Sequence, residues 1–172
     1  IGTSLLSLKR WLKMFEVKDN FLPPKEFTHI KNLVMSHTFP WFYNDYISGK
    51  DDPEPFYYFT HTFYSEPGVV SDWFYLFNNF LKKIECKSIM RLKANLHLNQ
   101  NIKRKNKPHT DFTFTHKACL FYLNDNNGAT YFGKKSVLPK ENRAVFFDPS
   151  IEHNSSECTD TKRRVNININ YF

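Results

Sequence analysis

At 172 residues the chain fits one domain, read as 1–172, and is long enough to bury a core without disulfide or metal staples. Hydrophobic residues make up 41% and charged residues 24%, which excludes a disordered or collagen-like chain, and no apolar run is long enough to span a bilayer. The net charge of +7 suits an acidic partner such as nucleic acid, but Lys and Arg are spread along the chain and the densest run, 103–107, lies in an apparent loop, so it reads as solvated surface.

The chain opens on Ile1 without a methionine, so its native start is expected upstream. Residues 4–15 are amphipathic and basic but lack the small-residue cleavage site of a signal peptide; they read as a helix packed on the body. Pro23-Pro24 is a natural helix start, and Phe27, Ile30, Leu33 and Val34 fall at helical spacing within 25–38 until Pro40 stops the run. Residues 48–55 form a polar loop, and the aromatic, β-branched stretch 56–64 is expected to be a strand. A second helix is expected over 71–84, capped by Ser71 with Asp72 in its first turn.

From residue 89 the texture changes to short strands and turns. Leu92, Ala94, Leu96 and Leu98 alternate with polar residues over 89–98. Further strands are expected at 117–123, 129–132, 136–138, 143–147 and 164–172, with a turn over Asn124–Gly128. Helices first and short strands later, with no βαβ alternation, indicate an α+β chain that is mainly β. The leading architecture is a jelly roll, with 1–88 as helical and strand support and 89–172 as the core. Three scattered cysteines, Cys86, Cys119 and Cys158, with no CxxC pair, argue against a disulfide framework or structural zinc and fit a reducing cytoplasmic setting.

Two features carry chemistry. His109-Thr110-Asp111 is the one HxD in the sequence. On an extended chain residues i and i+2 share a face, so this imidazole and carboxylate can reach one metal. A third ligand from a later strand would complete a two-His, one-carboxylate set, which leaves coordination positions open for substrate and O₂ and suits non-haem Fe(II). His153, His97, His61 and His116 are the candidates. His116 is too near Asp111 along the chain to approach from another strand, and His61 lies outside the β region.

The second feature is the closing strand. Val165, Ile167, Ile169 and Tyr171 face one side, and Arg164, Asn166, Asn168 and Asn170 the other. A guanidinium on an inward polar face needs an anion, and a carboxylate of a small diacid suits its fork. Arg163 points the other way and is the second choice.

The stretches PHTDF (108–112), KACLFYLND (117–125), NGATYF (127–132), VLPKENRAVFF (137–147), EH (152–153) and RVNININYF (164–172) occur in the order found in the 2-oxoglutarate/Fe(II) oxygenases, and the chain resembles their prolyl-hydroxylase-like branch. Short phage and marine-microbe members look especially similar, also at FPW (39–41) and FTHTFY (59–64). The resemblance implies a double-stranded β-helix with iron on His109, Asp111 and His153. It places Arg164 and Tyr122 on the distal carboxylate of 2-oxoglutarate, with Asn95 as a further co-substrate contact. It also implies oxidative decarboxylation of 2-oxoglutarate to succinate and CO₂, coupled to hydroxylation of a small-molecule or peptide substrate. Where the family usually has glycine after a Pro-x turn, this chain has Asn142, which also tolerates the left-handed conformation. The rival readings are a non-catalytic jelly-roll module, a cupin-type isomerase, and a nucleic-acid demethylase of the same superfamily.

Overall fold

The computed structural model describes residues 14–47 and 57–172, so the helix expected over 4–15 falls almost wholly, and the loop expected at 48–55 wholly, outside the described residues. The first described element is a strand, β1 (Phe15–Lys18), which pairs antiparallel with β9 (Arg143–Phe147). Helix α1 (Pro24–Val34) starts on Pro23-Pro24 as the sequence indicates, but it ends at Val34 rather than continuing to residue 38. There the Met35 N–H donates to Lys31 O at 2.9 Å and the Ser36 N–H to Leu33 O at 3.2 Å, and the Ser36 and Thr38 hydroxyls pair with each other at 3.2 Å. Hydroxyl residues that compete for backbone or local partners favour such turns over helix.

The helix expected over 71–84 divides. Ser71 caps it, its hydroxyl accepting from the Trp73 N–H at 3.3 Å, but Asp72–Phe77 is 3₁₀ and only α2 (Asn78–Lys83) is α-helical. Four aromatics in six residues lose rotamer freedom against a preceding α-turn. Phe77, at the end of the 3₁₀ segment, and Phe80, in α2, are both fully buried.

Among the described residues the main sheet has eight strands. Its order is β1-β9-β6-β11-β5-β3-β2, with β6 (Lys117–Tyr122), β11 (Arg163–Tyr171), β5 (Ile89–Leu98), β3 (Tyr58–Ser65) and β2 (Phe42–Asn44), while β4 (Gly68–Val69) pairs with β3. The smaller sheet runs β10-β7-β8, with β10 (Asn154–Ser155), β7 (Thr130–Phe132) and β8 (Lys135–Val137). Isolated bridges Lys105↔Ser156 and His109↔His153 lay the segment 105–109 along β10, so it acts as a further antiparallel edge of that sheet. This is the jelly roll expected from the strand spacing, the double-stranded β-helix that the resemblance implies.

Strand β11 shows why the sheet holds. Val165, Ile167 and Ile169 are fully buried on the face toward α1 and α2, in a core with Phe27, Ile30, Val34, Phe77 and Phe80. Each such aliphatic side chain contributes roughly 1.5–3 kcal/mol by leaving water. The other face, with Arg164, Asn166 and Asn170, is buried too, but against polar groups. The alternation therefore separates a hydrophobic core from a polar interior between the sheets. All three cysteines are free, with Cys119 and Cys158 buried.

Asn142 does more than tolerate its turn. It sits at φ 58°, and its side chain accepts from Leu22 N and donates to Leu22 O, both at 2.8 Å. It thereby ties the segment before α1 to the turn before β9. Asn142→Gly keeps the backbone comfortable but strips two buried backbone groups of partners. It is expected to cost about 1–3 kcal/mol, read as a lower urea midpoint with an unchanged slope.

Candidate functional site

The geometry of the candidate metal site is built by backbone pairing. His109 N donates to His153 O and His153 N to His109 O, both at 3.0 Å. This reciprocal antiparallel pair seats two imidazoles from chain segments 44 residues apart side by side, with ring centroids 4.7 Å apart. Asp111 N donates to Pro149 O at 3.0 Å, which holds the next same-side residue against the same turn. Nitrogen atoms of His109 and His153 and a carboxylate oxygen of Asp111 all lie within 4.8 Å of one another.

The surrounding groups prepare these side chains as ligands. His153 Nδ1 lies 2.9 Å from Ile151 O, an acceptor only, so Nδ1 carries the proton and the Nε2 lone pair is left for a metal. Burial, reinforced by His153, pushes His109 below its usual pKa and favours the neutral, ligating imidazole. Burial alone would raise the Asp111 carboxyl, but the Arg91 guanidinium at 3.0 Å, with His153 and neighbouring amides, holds it below the ordinary range. Asn168 Nδ2 also donates to Asp111 Oδ2 at 3.4 Å.

Arg91 was not among the sequence candidates. It shares the inward face of β5 with Lys93, Asn95 and His97, and its ring contact with Phe112 (5.5 Å) fixes its other side. Arg91→Met is expected to lower divalent-metal affinity by about ten- to a hundredfold, as loss of an outer-shell partner does, with little change in the melting temperature. Calorimetric titration of Mn(II) into metal-stripped protein measures this.

A cavity between the two sheets runs from this triad to Arg164. It is lined by His109, Asp111, His153, Asn95, Thr130 and Arg164, among others, with Tyr58, Leu120 and Phe147 as its apolar walls. Arg164 is 2% exposed, yet its hydrogen bonds go to neutral acceptors: Nε to Gly128 O and Nη2 to Thr130 Oγ1, both at 3.1 Å. A buried guanidinium with no carboxylate hydrogen-bonded to it among the described residues, opening on a cavity, is suited to an anion. Arg163 points the opposite way, donating from Nη2 to Met35 O at 2.9 Å.

Gly128 explains part of this placement. A Cβ there would come within 2.9 Å of Arg164 Cδ and 2.8 Å of Ser156 O, so only glycine lets the backbone carbonyl approach the arginine.

Asn95 lines the cavity and donates to Asn166 Oδ1 at 2.9 Å, its own Oδ1 lacking a partner. Tyr122 is fully buried under Arg164, with the guanidinium 5.9 Å from its ring, and its hydroxyl bonds Thr130 Oγ1 at 2.7 Å. Thr130 itself is the residue that reaches the cavity. Lys93 lines the cavity as well, and burial and Arg91 push its ammonium down to about 8.

The other histidines lie elsewhere. His61 bridges Pro40 O and Ser71 Oγ, both at 2.8 Å, inside the aromatic packing of Phe39 and Phe63. His116 bonds Phe114 O and Asn170 Oδ1, both at 2.8 Å. His97 is at the Arg164 end of the cavity, facing Glu157.

No protein-family model matches the chain, and no curated protein does. Solved structures do match it in fold. An oxidoreductase of the 2OG-Fe(II) oxygenase family from Burkholderia pseudomallei aligns at TM-score 0.69 and 10% identity, covering 99% of this chain and 92% of that one. A Pseudomonas putida prolyl-4-hydroxylase aligns at TM-score 0.58 and 10% identity, covering 98% and 99%. The non-heme alpha ketoglutarate dependent epimerase SnoN, from nogalamycin biosynthesis, aligns at TM-score 0.60 and 11% identity, covering 98% and 84%; it has also been solved with Fe3+, alpha ketoglutarate and nogalamycin RO. The chain has the fold of the 2OG-Fe(II) oxygenases, and its His-Asp-His set is suited to iron. No helix among the described residues is long and apolar enough to cross a membrane.

Proposed function

We propose that this chain is an Fe(II)- and 2-oxoglutarate-dependent hydroxylase in which His109, Asp111 and His153 hold the metal and Arg164 holds the distal carboxylate of the co-substrate. The observation that carries the reading is the pairing of two sites in one cavity. A two-histidine, one-carboxylate donor set stands at one end, and a buried arginine with only neutral hydrogen-bond partners stands at the other. A non-catalytic jelly roll would explain the strands but has no use for both features.

The donor set fits Fe(II): two imidazole nitrogens and one carboxylate, with the His153 tautomer set by Ile151 O and the Asp111 charge sustained by Arg91. When bound, iron and 2-oxoglutarate supply the activation of O₂ and the oxidising equivalents. The chain's own share is placement. Arg164 and Thr130 present donors to the distal carboxylate, with Gly128 O and Tyr122 fixing their orientation. Asn95 and Asn166 offer amides midway. Tyr58, Leu120 and Phe147 form apolar walls that keep water from the reacting centre. None of the ligands needs to act as acid or base.

The substrate is a small molecule or a peptide; a nucleic acid is the second reading, supported by the net charge of +7. The test is a panel of proline-containing peptides, free amino acids and single-stranded oligonucleotides, offered with Fe(II), O₂ and 2-oxoglutarate. One class is expected to raise succinate release and gain one oxygen atom by mass. An oxidised product formed without 2-oxoglutarate would contradict the co-substrate assignment.

A further inference from the structure

His97 stands directly opposite Arg164 in the β5/β11 pairing, and both line the cavity. Directly opposed side chains sit about 4.5–5.5 Å apart at Cβ, so one small anion can touch both. Beside His97 is Glu157, with Oε1 3.7 Å from His97 Nδ1 and near enough to Arg164 for the guanidinium to help hold its charge. Both residues are almost wholly enclosed, His97 at 4% exposure and Glu157 at 1%. Glu157 Oε1 accepts from Asn106 Nδ2 at 2.9 Å, while Glu157 Oε2 and His97 Nδ1 have no hydrogen-bond partner among the described residues. A buried carboxylate is costly unless cations settle beside it; Arg164 supplies one such charge, and His97 is the adjacent group able to become another.

Among the described residues, few groups face His97. Arg164 faces it from β11, Lys93 from its own strand, and Glu157 from the segment after β10; Tyr58 of β3 stacks on the ring at 5.4 Å and 29°. Burial pushes His97 below its usual pKa, and Arg164 and Lys93 add to that, while Glu157 opposes. In its neutral form a proton on Nδ1 faces Glu157, so Nε2 offers a lone pair. A carboxylate arriving from the cavity would meet that lone pair with its own. Adding a proton at Nε2 turns this repulsion into a charge-assisted hydrogen bond.

Resting on the co-substrate reading above, we propose that His97, oriented and charge-balanced by Glu157, is the second cation of the anion clamp, and that binding of the 2-oxoglutarate distal carboxylate takes up one proton from solvent onto its Nε2.

The test is calorimetric titration of 2-oxoglutarate into Mn(II)-loaded protein near neutral pH, in two buffers of different ionisation enthalpy. Because the metal is already bound, proton release by its ligands does not enter. The heats are expected to differ between buffers by an amount approaching one proton per dicarboxylate. A 2-oxo monocarboxylate of equal chain length, which keeps the chelating end but lacks the distal carboxylate, is expected to take up no proton in the same wild-type protein. H97Q is expected to lose the uptake and weaken 2-oxoglutarate binding by roughly ten- to a hundredfold, and E157Q to reduce the uptake without touching the ligand. Equal proton counts for the dicarboxylate and the monocarboxylate, or full uptake in folded H97Q, would overturn the proposal and leave the oxygenase reading standing. Failure of 2-oxoglutarate to bind the metal-loaded wild type at all would overturn both.

Discussion

Replacing Asp111 with alanine is expected to abolish metal-dependent turnover and to weaken Fe(II) or Mn(II) binding by more than the hundredfold typical of an outer-shell partner. Asp111 is the one carboxylate among the three candidate donors. Its side chain is 6% exposed, and its two oxygens already meet Arg91 at 3.0 Å and Asn168 at 3.4 Å, so water cannot readily replace it. The linkage sign is that of a depressed carboxyl: the charge is fully present above its unfolded pKa and is lost only as pH falls through the lower folded value. Metal affinity in the neutral range therefore does not titrate with Asp111. The truncation leaves Arg91 without its carboxylate, but the Ile and Phe core around β11, on the other face of the sheet, is untouched. The circular dichroism spectrum should persist. Asp111→Asn, which keeps the shape, separates lost charge from lost volume. Full metal affinity in a folded Asp111→Ala protein would remove Asp111 from the metal site.

Arg164→Ala should raise the apparent 2-oxoglutarate constant by roughly 2–5 kcal/mol, the range for loss of a desolvated charge contact, whereas Arg163→Ala should change it little. Both residues are permanently charged and adjacent, so only direction distinguishes them. Arg164 opens on the cavity and Arg163 bonds Met35 O at the end of α1. The alanine variant also strands Gly128 O, takes one of two partners from Thr130 Oγ1, and leaves a void. A lower melting temperature is therefore expected alongside the affinity loss. Arg164→Lys fills part of the void and keeps the charge but lacks the planar fork, so it should recover stability better than affinity. Titration of 2-oxoglutarate with metal present ranks the three, and an effect confined to Arg163→Ala would move the clamp to the other face of β11.

The sequence resolved what depends on local period and missed what depends on distant pairing. The Val165/Ile167/Ile169 alternation is a period-two signal, and it correctly sent Arg164 and Arg163 to opposite faces. The i, i+2 spacing of His109 and Asp111 likewise gave their shared side. The partner of that pair was not decided by spacing, because His153 is brought in by two backbone hydrogen bonds across 44 residues, and no local pattern encodes them. Arg91, Thr130 and Glu157 were missed for the same reason: each meets its partner across the chain, where no local pattern records it. Arg91 had a readable signal, since it shares the inward face of an alternating strand with Asn95.

Tyr122 was linked to the distal carboxylate through the resemblance, and the structure places its hydroxyl on Thr130, one bond further from the cavity. Strand β1 was hidden because Phe15 also completes the amphipathic pattern of the residues before it, and a four-residue edge strand carries little period of its own. The 3₁₀ segment before α2 was read as α-helix because caps and apolar spacing do not distinguish the two windings.

The most direct test of the account is succinate formation from 2-oxoglutarate by the metal-stripped protein after reconstitution with Fe(II) in air. The expected result is succinate production that requires both Fe(II) and O₂, is stopped by a chelator, and is absent from folded Asp111→Ala. A folded, Fe(II)-loaded wild-type protein that forms no succinate, or forms it equally well after its metal is removed, would contradict the assignment of this cavity as an iron and 2-oxoglutarate site.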